Sequence, residues 1–268
     1  MLRLNRDTQL CVSLSARPSN VGTRFHNHLY ENLGLNFVYK AFAPTNLAAA
    51  ISGVRGLPIR GAAISMPYKM EVIPLLDEVD ATAAVIGAVN TVVNTDGYLV
   101  GSNTDFIAVR ILLQKRLLHP SRVTVFGSGG MAKAVVAAAV DLGHEVTVVS
   151  RNLSAGKNLA QQFKTKFADS TVGGNVFVNA TPVGMAGLHE KDSPLTDSEI
   201  EQFDVIFDVV AMPVQTPLLT RARELGKHLI SGREVMTLQA VEQFEMYTGV
   251  RPKAEQIAAA EAFAHRVD

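Results

Sequence analysis

Of 268 residues one is cysteine, Cys11, and none is tryptophan. A lone thiol excludes an internal disulfide and leaves no CxxC or Cys/His cluster for zinc, so Cys11 reads as a small buried strand residue. No stretch approaches the ~18 apolar residues that a membrane span requires. The opening MLRLNRDTQL carries Arg3, Arg6 and Asp7 where a signal peptide needs an apolar run. Neither sign of charge is in surplus, with 25 basic residues against 25 acidic ones, so no basic field is available for nucleic acid or an anionic membrane. Low-complexity segments and solenoid-period repeats are also missing. The expectation is a soluble, cytoplasmic protein, monomer or homodimer, whose partner is a small molecule.

What is present is an alternation of short apolar runs with helical patterns, and 47% hydrophobic content can fill one large core or two modest ones. QLCVSL, FVYKAF and RGAAIS read as strands, with helices RFHNHLYENLG and NLAAAISGVRG between them. That order implies a largely parallel sheet. AVNTVVN and YLVGSN, split by Thr95-Asp96-Gly97, read as a hairpin forming an antiparallel edge. A helix begins at Asp105, and HPSR is a reasonable domain border. Beyond it the pattern restarts, with strands RVTVF, EVTVVS, NVFVNA, DVIFDVV and HLIS and helices MAKAVVAAAVDLG and NLSAGKNLAQQFK. Two closing helices, EVMTLQAVEQFEMYTG and AEQIAAAEAFAHRV, are apolar enough to return to the first domain.

The stretch GSGGMA, running from Gly127 through Ser128, Gly129, Gly130 and Met131 to Ala132, sits between a strand and a helix. Gly127 can make the turn, Gly129 lets a pyrophosphate approach the backbone, and Ala132 permits close helix packing, which together fit a dinucleotide-binding turn. An acid at the end of the next strand would hold the 2′-hydroxyl of NAD. This chain has Ser150, Arg151 and Asn152 there, and the planar fork of Arg151 suits a 2′-phosphate, which points to NADP. An exposed arginine beside a loop remains the plainer reading.

AISMPYK, IGAVNTVVN, GSNTD, GSGGMAKAV, SRN, NATPVGM and LQAVEQF occur in the order and spacing of the shikimate dehydrogenase family, and the resemblance covers nearly the whole chain. SLSARPSNVGTRFHN resembles its shikimate dehydrogenase-like branch. The resemblance implies an α/β protein of two domains with a cleft between them: a mixed-sheet substrate domain over residues 1–105 plus 240–268, and a Rossmann domain for NADP over residues 106–239. It also implies reversible hydride transfer between NADP(H) and shikimate/3-dehydroshikimate or a close cyclic hydroxy acid. Lys69 resembles the family's catalytic lysine and Asp105 its partner aspartate, consistent with one proton to be managed at the substrate oxygen. Without the resemblance, Lys69 reads equally as a surface lysine and Asp105 as a helix cap. Asn90 and Gln239 match the family's substrate-hydroxyl contacts, Ser65 stands where the family has threonine, and Asn103 and Thr104 shape the aspartate loop. Thr181, Met185 and Gly232 match positions beside the nicotinamide.

Departures gather where the family holds the substrate carboxylate. Its SxSP serines are Asn20 and Gly22 here, with Thr23 for the proline, its asparagine is Ala63, and its tyrosine is Ala211. Arg17 or Arg24 can take over the carboxylate, with Ser13, Ser15 and Asn20 adding polar contacts. His26 and His28, two apart on a helix, cannot share a face and are read as neither metal ligands nor catalytic groups. Two alternatives stand beside the dehydrogenase: an NADP-binding sensor with little turnover, and a folate-linked dehydrogenase or cyclohydrolase.

Overall fold

The computed structural model describes residues 4–266, so Arg3 of the opening segment lies outside the described residues. Chain packing divides it into two units, residues 1–104 with 237–268, and residues 105–236.

The first unit carries six strands, β1 (Gln9–Leu14), β2 (Phe37–Phe42), β3 (Gly61–Ile64), β4 (Glu78–Val79), β5 (Thr91–Thr95) and β6 (Tyr98–Ser102), in the order β2-β1-β3-β5-β6-β4. Helices α1 (Asn20–Asn32), α2 (Leu47–Gly56) and α3 (Ala81–Ile86) connect them. The side chains of Asn46 and Asp80 cap α2 and α3 by accepting from Ala49 and Ala83, and Gly87, with φ of 71°, ends α3. Asp96 and Gly97, with φ of 51° and 88°, make the two-residue turn between β5 and β6.

Alternation along β1 sorts its side chains. Val12 and Leu14 enter a cluster with Ile51, Val54 and Ile64, whereas Cys11 joins Phe25, Leu29, Tyr30, Tyr39, Phe244 and Tyr247 on the other face. Burial pushes the Cys11 thiol up to about 12, which keeps it unreactive at neutral pH. His26 lies in the same cluster, stacked on Tyr39 at 4.4 Å, and burial lowers its pKa to about 3.

The second unit holds β7 (Arg122–Phe126), β8 (Glu145–Val149), β9 (Lys166–Ala168), β10 (Val176–Asn179), β11 (Val205–Asp208) and β12 (His228–Ser231), ordered β12-β11-β10-β7-β8-β9 and parallel throughout. Its order reverses between β7 and β10, the topological switch point of a doubly wound sheet. Every residue of β10 and β11 is buried, as expected of parallel strands covered on both faces. Helices α5 (Gly130–Asp141), α6 (Leu153–Gln162), α7 (Asp197–Ile200) and α8 (Pro217–Glu224) belong to this unit. The chain crosses between units within α4 (Thr104–Arg116) and α9 (Gly232–Thr248), and α10 (Ala254–Ala264) closes it. No described helix is long and apolar enough to cross a membrane.

Several expectations need correction. The β5–β6 hairpin is not the sheet edge, because β4 lies outside β6 and parallel to it. Two residues are too few to show a period of two, and the Asp77 carboxylate that anchors this segment, accepting from Leu99 N–H at 2.7 Å, leaves no local pattern. Helix α1 starts at Asn20, not Arg24, after Ser19, whose side chain makes no capping bond. Helix α4 starts at Thr104, so Asp105 lies inside its first turn and is not its cap. Helix α9 begins at Gly232, directly after β12 ends at Ser231, and not at Glu234. Short β9, α3, α7 and α8 were not foreseen.

Candidate functional site

In the second unit, a cavity of about 550 Å³ opens at the carboxyl ends of β7, β8 and β10, lined by Phe126 with residues 127–129, 150–152 and 180–182. Gly127 has φ of 133°, and a Cβ there would come within 2.7 Å of the Ala180 carbonyl oxygen, so only glycine can make this turn unstrained. Its N–H donates to the Val149 carbonyl at 2.8 Å, tying the turn to β8. Gly129 precedes α5 with no side-chain cap, and a Cβ at Gly129 or Gly130 would meet nothing within 4 Å. The start of α5 therefore has open space beside it, as an anion-binding helix start requires. Met131 continues the helix and Ala132 is fully buried beneath it.

The Ser150 hydroxyl donates to Ser128 Oγ at 3.0 Å, joining the two loops. Arg151, exposed, is the charged side chain of this lining, and Asn152 caps α6 by accepting from Ala155 N–H at 3.0 Å. This donor set fits a dinucleotide carrying a 2′-phosphate. Thr181 lines the cavity, whereas Met185, 47% exposed, and Gly232 do not. Gly232 serves packing: a Cβ there would lie 2.3 Å from the Val209 carbonyl oxygen.

In the first unit, backbone bonds continue past the carboxyl ends of β1 to β3. Ser15 N–H donates to Phe42, Ala16 to Met66 and Ser65 to Leu14. The N–H of Val89 reaches the Lys69 carbonyl at 2.8 Å, and the Asn90 carbonyl accepts from Ile64, which sets Ser65, Lys69 and Asn90 on one rim. Asn90, 2% exposed, is the hub. Its Oδ1 accepts from Thr104 N–H at 2.8 Å and from the Thr91 hydroxyl at 2.9 Å, while Nδ2 donates to Gln239 Oε1 at 3.3 Å. Asp105 follows Thr104 in the chain and is buried in the first turn of α4. Lys69 is half-buried. Asn103 donates to the Ala88 carbonyl at 2.9 Å, fixing the loop before Asp105.

The comparisons with known proteins fall on this frame. Residues 19–92 match the shikimate dehydrogenase substrate binding domain. A shikimate dehydrogenase-like protein of Haemophilus influenzae is 50% identical over 266 residues, spanning 97% of this chain and 98% of that one. The chain belongs to the shikimate dehydrogenase family. A solved shikimate 5-dehydrogenase-like structure superposes with a TM-score of 0.95 at 49% identity, covering 98% of this chain and 100% of that one. Shikimate 5-dehydrogenase from Thermus thermophilus, in complex with NADP(H) and shikimate, superposes with a TM-score of 0.87 at 28% identity, covering 96% and 99% of the two chains. Family membership and these superpositions establish the two-domain α/β fold with a Rossmann sheet, and they remove the folate-linked alternative.

For a shikimate dehydrogenase family member, the segment around Asn20 that departs from the family's pattern is the notable region. Asn20 is exposed in the first turn of α1, with Gly22 and Thr23 beside it. Of the two arginines considered there, Arg24 is engaged, donating to the Arg266 carbonyl beyond α10. Arg17 is exposed, and its N–H is held by Ser15 Oγ at 3.1 Å. Ser13 is half-buried on β1. His28 stacks on Phe263 at 4.8 Å while His26 is buried, so the two do not converge, and the described residues contain no metal-binding cluster. Gln243 was missed in the sequence: it donates to the Asn90 carbonyl at 3.2 Å and to the Thr91 hydroxyl at 3.0 Å. Its place one helical turn after Gln239 was the available signal. Also missed were Asn179 and Asp208, wholly buried polar residues whose strands read as apolar runs, and Thr216, the wholly buried cap of α8.

Proposed function

We propose that this family member is an NADP-dependent oxidoreductase that transfers hydride reversibly between NADP(H) and shikimate or a close cyclic hydroxy acid, working in the cytoplasm as a monomer or homodimer. The observation that carries the reading is the Asn90 hub. One buried carboxamide bonds the residue before Asp105, contacts Gln239 and lies on the loop tied to Lys69. Polar residues anchored this way can address neighbouring hydroxyls of a polyol ring.

Gly127, Ser128, Gly129 and Gly130 with Met131 and Ala132 form the phosphate turn, and Ser150, Arg151 and Asn152 address the 2′-phosphate end. Thr181 contacts the other end of the cofactor, with Met185 and Gly232 on the same side. When bound, NADP supplies the hydride acceptor. On the protein side, Lys69 Nζ takes the hydroxyl proton during oxidation and returns it to the carbonyl oxygen in reduction. Asp105 orients that amine, while Ser65, Asn90 and Gln239 hold the ring and Asn20 lies at the carboxylate end. Arg17, left free of the α10 contact that engages Arg24, is the cation for that carboxylate.

The test is NADP reduction followed by absorbance with shikimate, quinate and an aminated shikimate analogue in parallel. Saturable turnover of at least one, lost in Lys69→Ala, supports the reading. Turnover of none alongside intact NADP binding overturns it and leaves the sensor.

A further inference from the structure

The reaction leaves one buried titratable group without a role. Asp208, the last residue of β11, has no exposed surface. Its Oδ1 accepts from Val210 N–H and from Asn179 Nδ2, each at 3.0 Å, and its Oδ2 accepts from the Thr216 hydroxyl at 2.6 Å. None of these partners is a cation, and burial raises the carboxyl from 3.8 to about 6 despite them. A buried charge with no counter-ion is costly, and nothing in the packing of β11 demands one.

The partner Asn179 supplies the reason. Its carboxamide is saturated: Nδ2 donates to Asp208 and to the Val183 carbonyl, and Oδ1 accepts from Thr181 N–H at 3.1 Å and from the Thr181 hydroxyl at 2.6 Å. Thr181 Oγ1 in turn accepts from Val183 N–H at 3.2 Å. An amide can flip, exchanging its oxygen for its nitrogen, unless a neighbour forbids it. An ionised carboxylate accepts only, so Nδ2 must face Asp208 and Oδ1 must face Thr181. The reversed amide would set oxygen against carboxylate and NH2 against the Thr181 N–H.

Thr181 lines the nucleotide cavity on the β10 side of the Gly127 turn, opposite the β8 side that carries Arg151. If the 2′-phosphate end of a dinucleotide lies at Arg151, its far half lies toward Thr181. We infer that Asp208 is a positioning residue: its acceptor-only carboxylate locks the Asn179 amide and so holds Thr181 and residues 180–183 in the shape that receives the far, nicotinamide half of the cofactor. This rests on the NADP reading above.

The experiment compares binding of NADP and of adenosine 2′,5′-bisphosphate, which keeps only the Arg151 half, by calorimetry on the wild-type chain, Asp208→Asn and Thr216→Val. The carboxamide introduced by Asp208→Asn can both donate and accept, which removes the Asp208 constraint on the Asn179 amide and leaves only those of the Thr181 N–H and the Val183 carbonyl. Thr216→Val removes one donor yet leaves the carboxylate acceptor-only. Asp208→Asn should weaken NADP about tenfold while keeping the bisphosphate within about twofold, and should speed hydrogen exchange at the Thr181 and Val183 amides about tenfold. Thr216→Val should hold NADP within about twofold. Equal weakening of both ligands, unchanged NADP affinity in Asp208→Asn, or loss in Thr216→Val matching that in Asp208→Asn would each overturn the assignment. If Asp208→Asn does not fold, the corresponding pair is Asn179→Asp, which should weaken NADP as strongly, against Thr216→Val. A wild-type chain that binds neither ligand overturns the cofactor reading itself, a result distinct from the other failures.

Discussion

The two six-stranded sheets build their functional edges by opposite means. In the parallel sheet of the second unit, strand ends deliver backbone: the Gly127 turn leads into the start of α5, which has no side-chain cap, and the buried side chains of Asn179 and Asp208 bond each other and the loop that follows β10. In the mixed sheet of the first unit, strand ends deliver side chains: Ser65, Lys69 and Asn90 stand on one rim, with Asn90 braced by Gln239 and Gln243. A backbone site tolerates no added Cβ at its turn, so its sequence is written in glycine spacing. A side-chain site is written in scattered polar residues, any one of which also reads as an ordinary surface or capping group.

The sharpest way to break this division is Lys69→Ala. If chemistry resides on the first unit's rim and dinucleotide binding on the second, kcat should fall by roughly 10²- to 10⁴-fold while NADP affinity stays within about twofold. Steady-state kinetics and direct titration read the two quantities separately. A variant that lost both together would show that the units do not divide the work.

The next test addresses the cofactor side. Arg151 is an exposed fork at the end of β8, and a charge-assisted contact to a 2′-phosphate contributes about 1.5 to 3 kcal/mol, the lower end applying where water competes. Arg151→Ala should therefore raise the KM for NADP by about tenfold and leave that for NAD nearly unchanged. Equal effects on both cofactors would make Arg151 a structural residue.

Legibility followed the same division. GSGGMA between strand and helix showed the phosphate turn directly, because turn, approach and packing each demand a small residue at a fixed spacing. Lys69, Asp105, Asn90 and Gln239 were singled out through a family resemblance, since their spacing along the chain carries no geometry. The strands that nearly every long apolar run implied are present, whereas β4 and β9 were invisible because two or three residues cannot establish a period. Asp208 and Asn179 were hidden for another reason: DVIFDVV and NVFVNA read as apolar runs, and the one polar residue inside each apolar stretch gave no sign that the two meet at 3.0 Å.

The units should also differ in the sign of their response to pH. His26, in the first unit, has its pKa lowered to about 3, so the folded state stays neutral while the unfolded chain takes up a proton near 6.5. Its stabilising contribution is present above 6.5 and is lost as pH falls. Asp208, in the second unit, is raised to about 6, so its contribution is present below the ordinary 3.8 and is lost as pH rises through 6. Between pH 5 and pH 7 the first unit should gain and the second lose stability, each on the order of 1–2 kcal/mol. Native-state hydrogen exchange resolved by segment measures both at once, and parallel trends in the two units would break the comparison.

The smallest effect tests whether a loop residue at the backbone-type site serves structure or ligand. Asn152 was chosen from sequence as a cofactor contact, yet its Oδ1 is engaged in capping α6. Asn152→Ala should lower stability by about 1 kcal/mol, a fall in Tm of roughly 2–4 °C, and shift NADP affinity by less than about threefold. Asn152→Asp restores the cap but places a negative charge beside Arg151, so it should recover the Tm while weakening NADP relative to NAD. If Asn152→Ala instead weakened NADP strongly at unchanged Tm, the carboxamide would be a ligand contact first and a cap second, and this edge would bind through side chains more than its glycine turn implies.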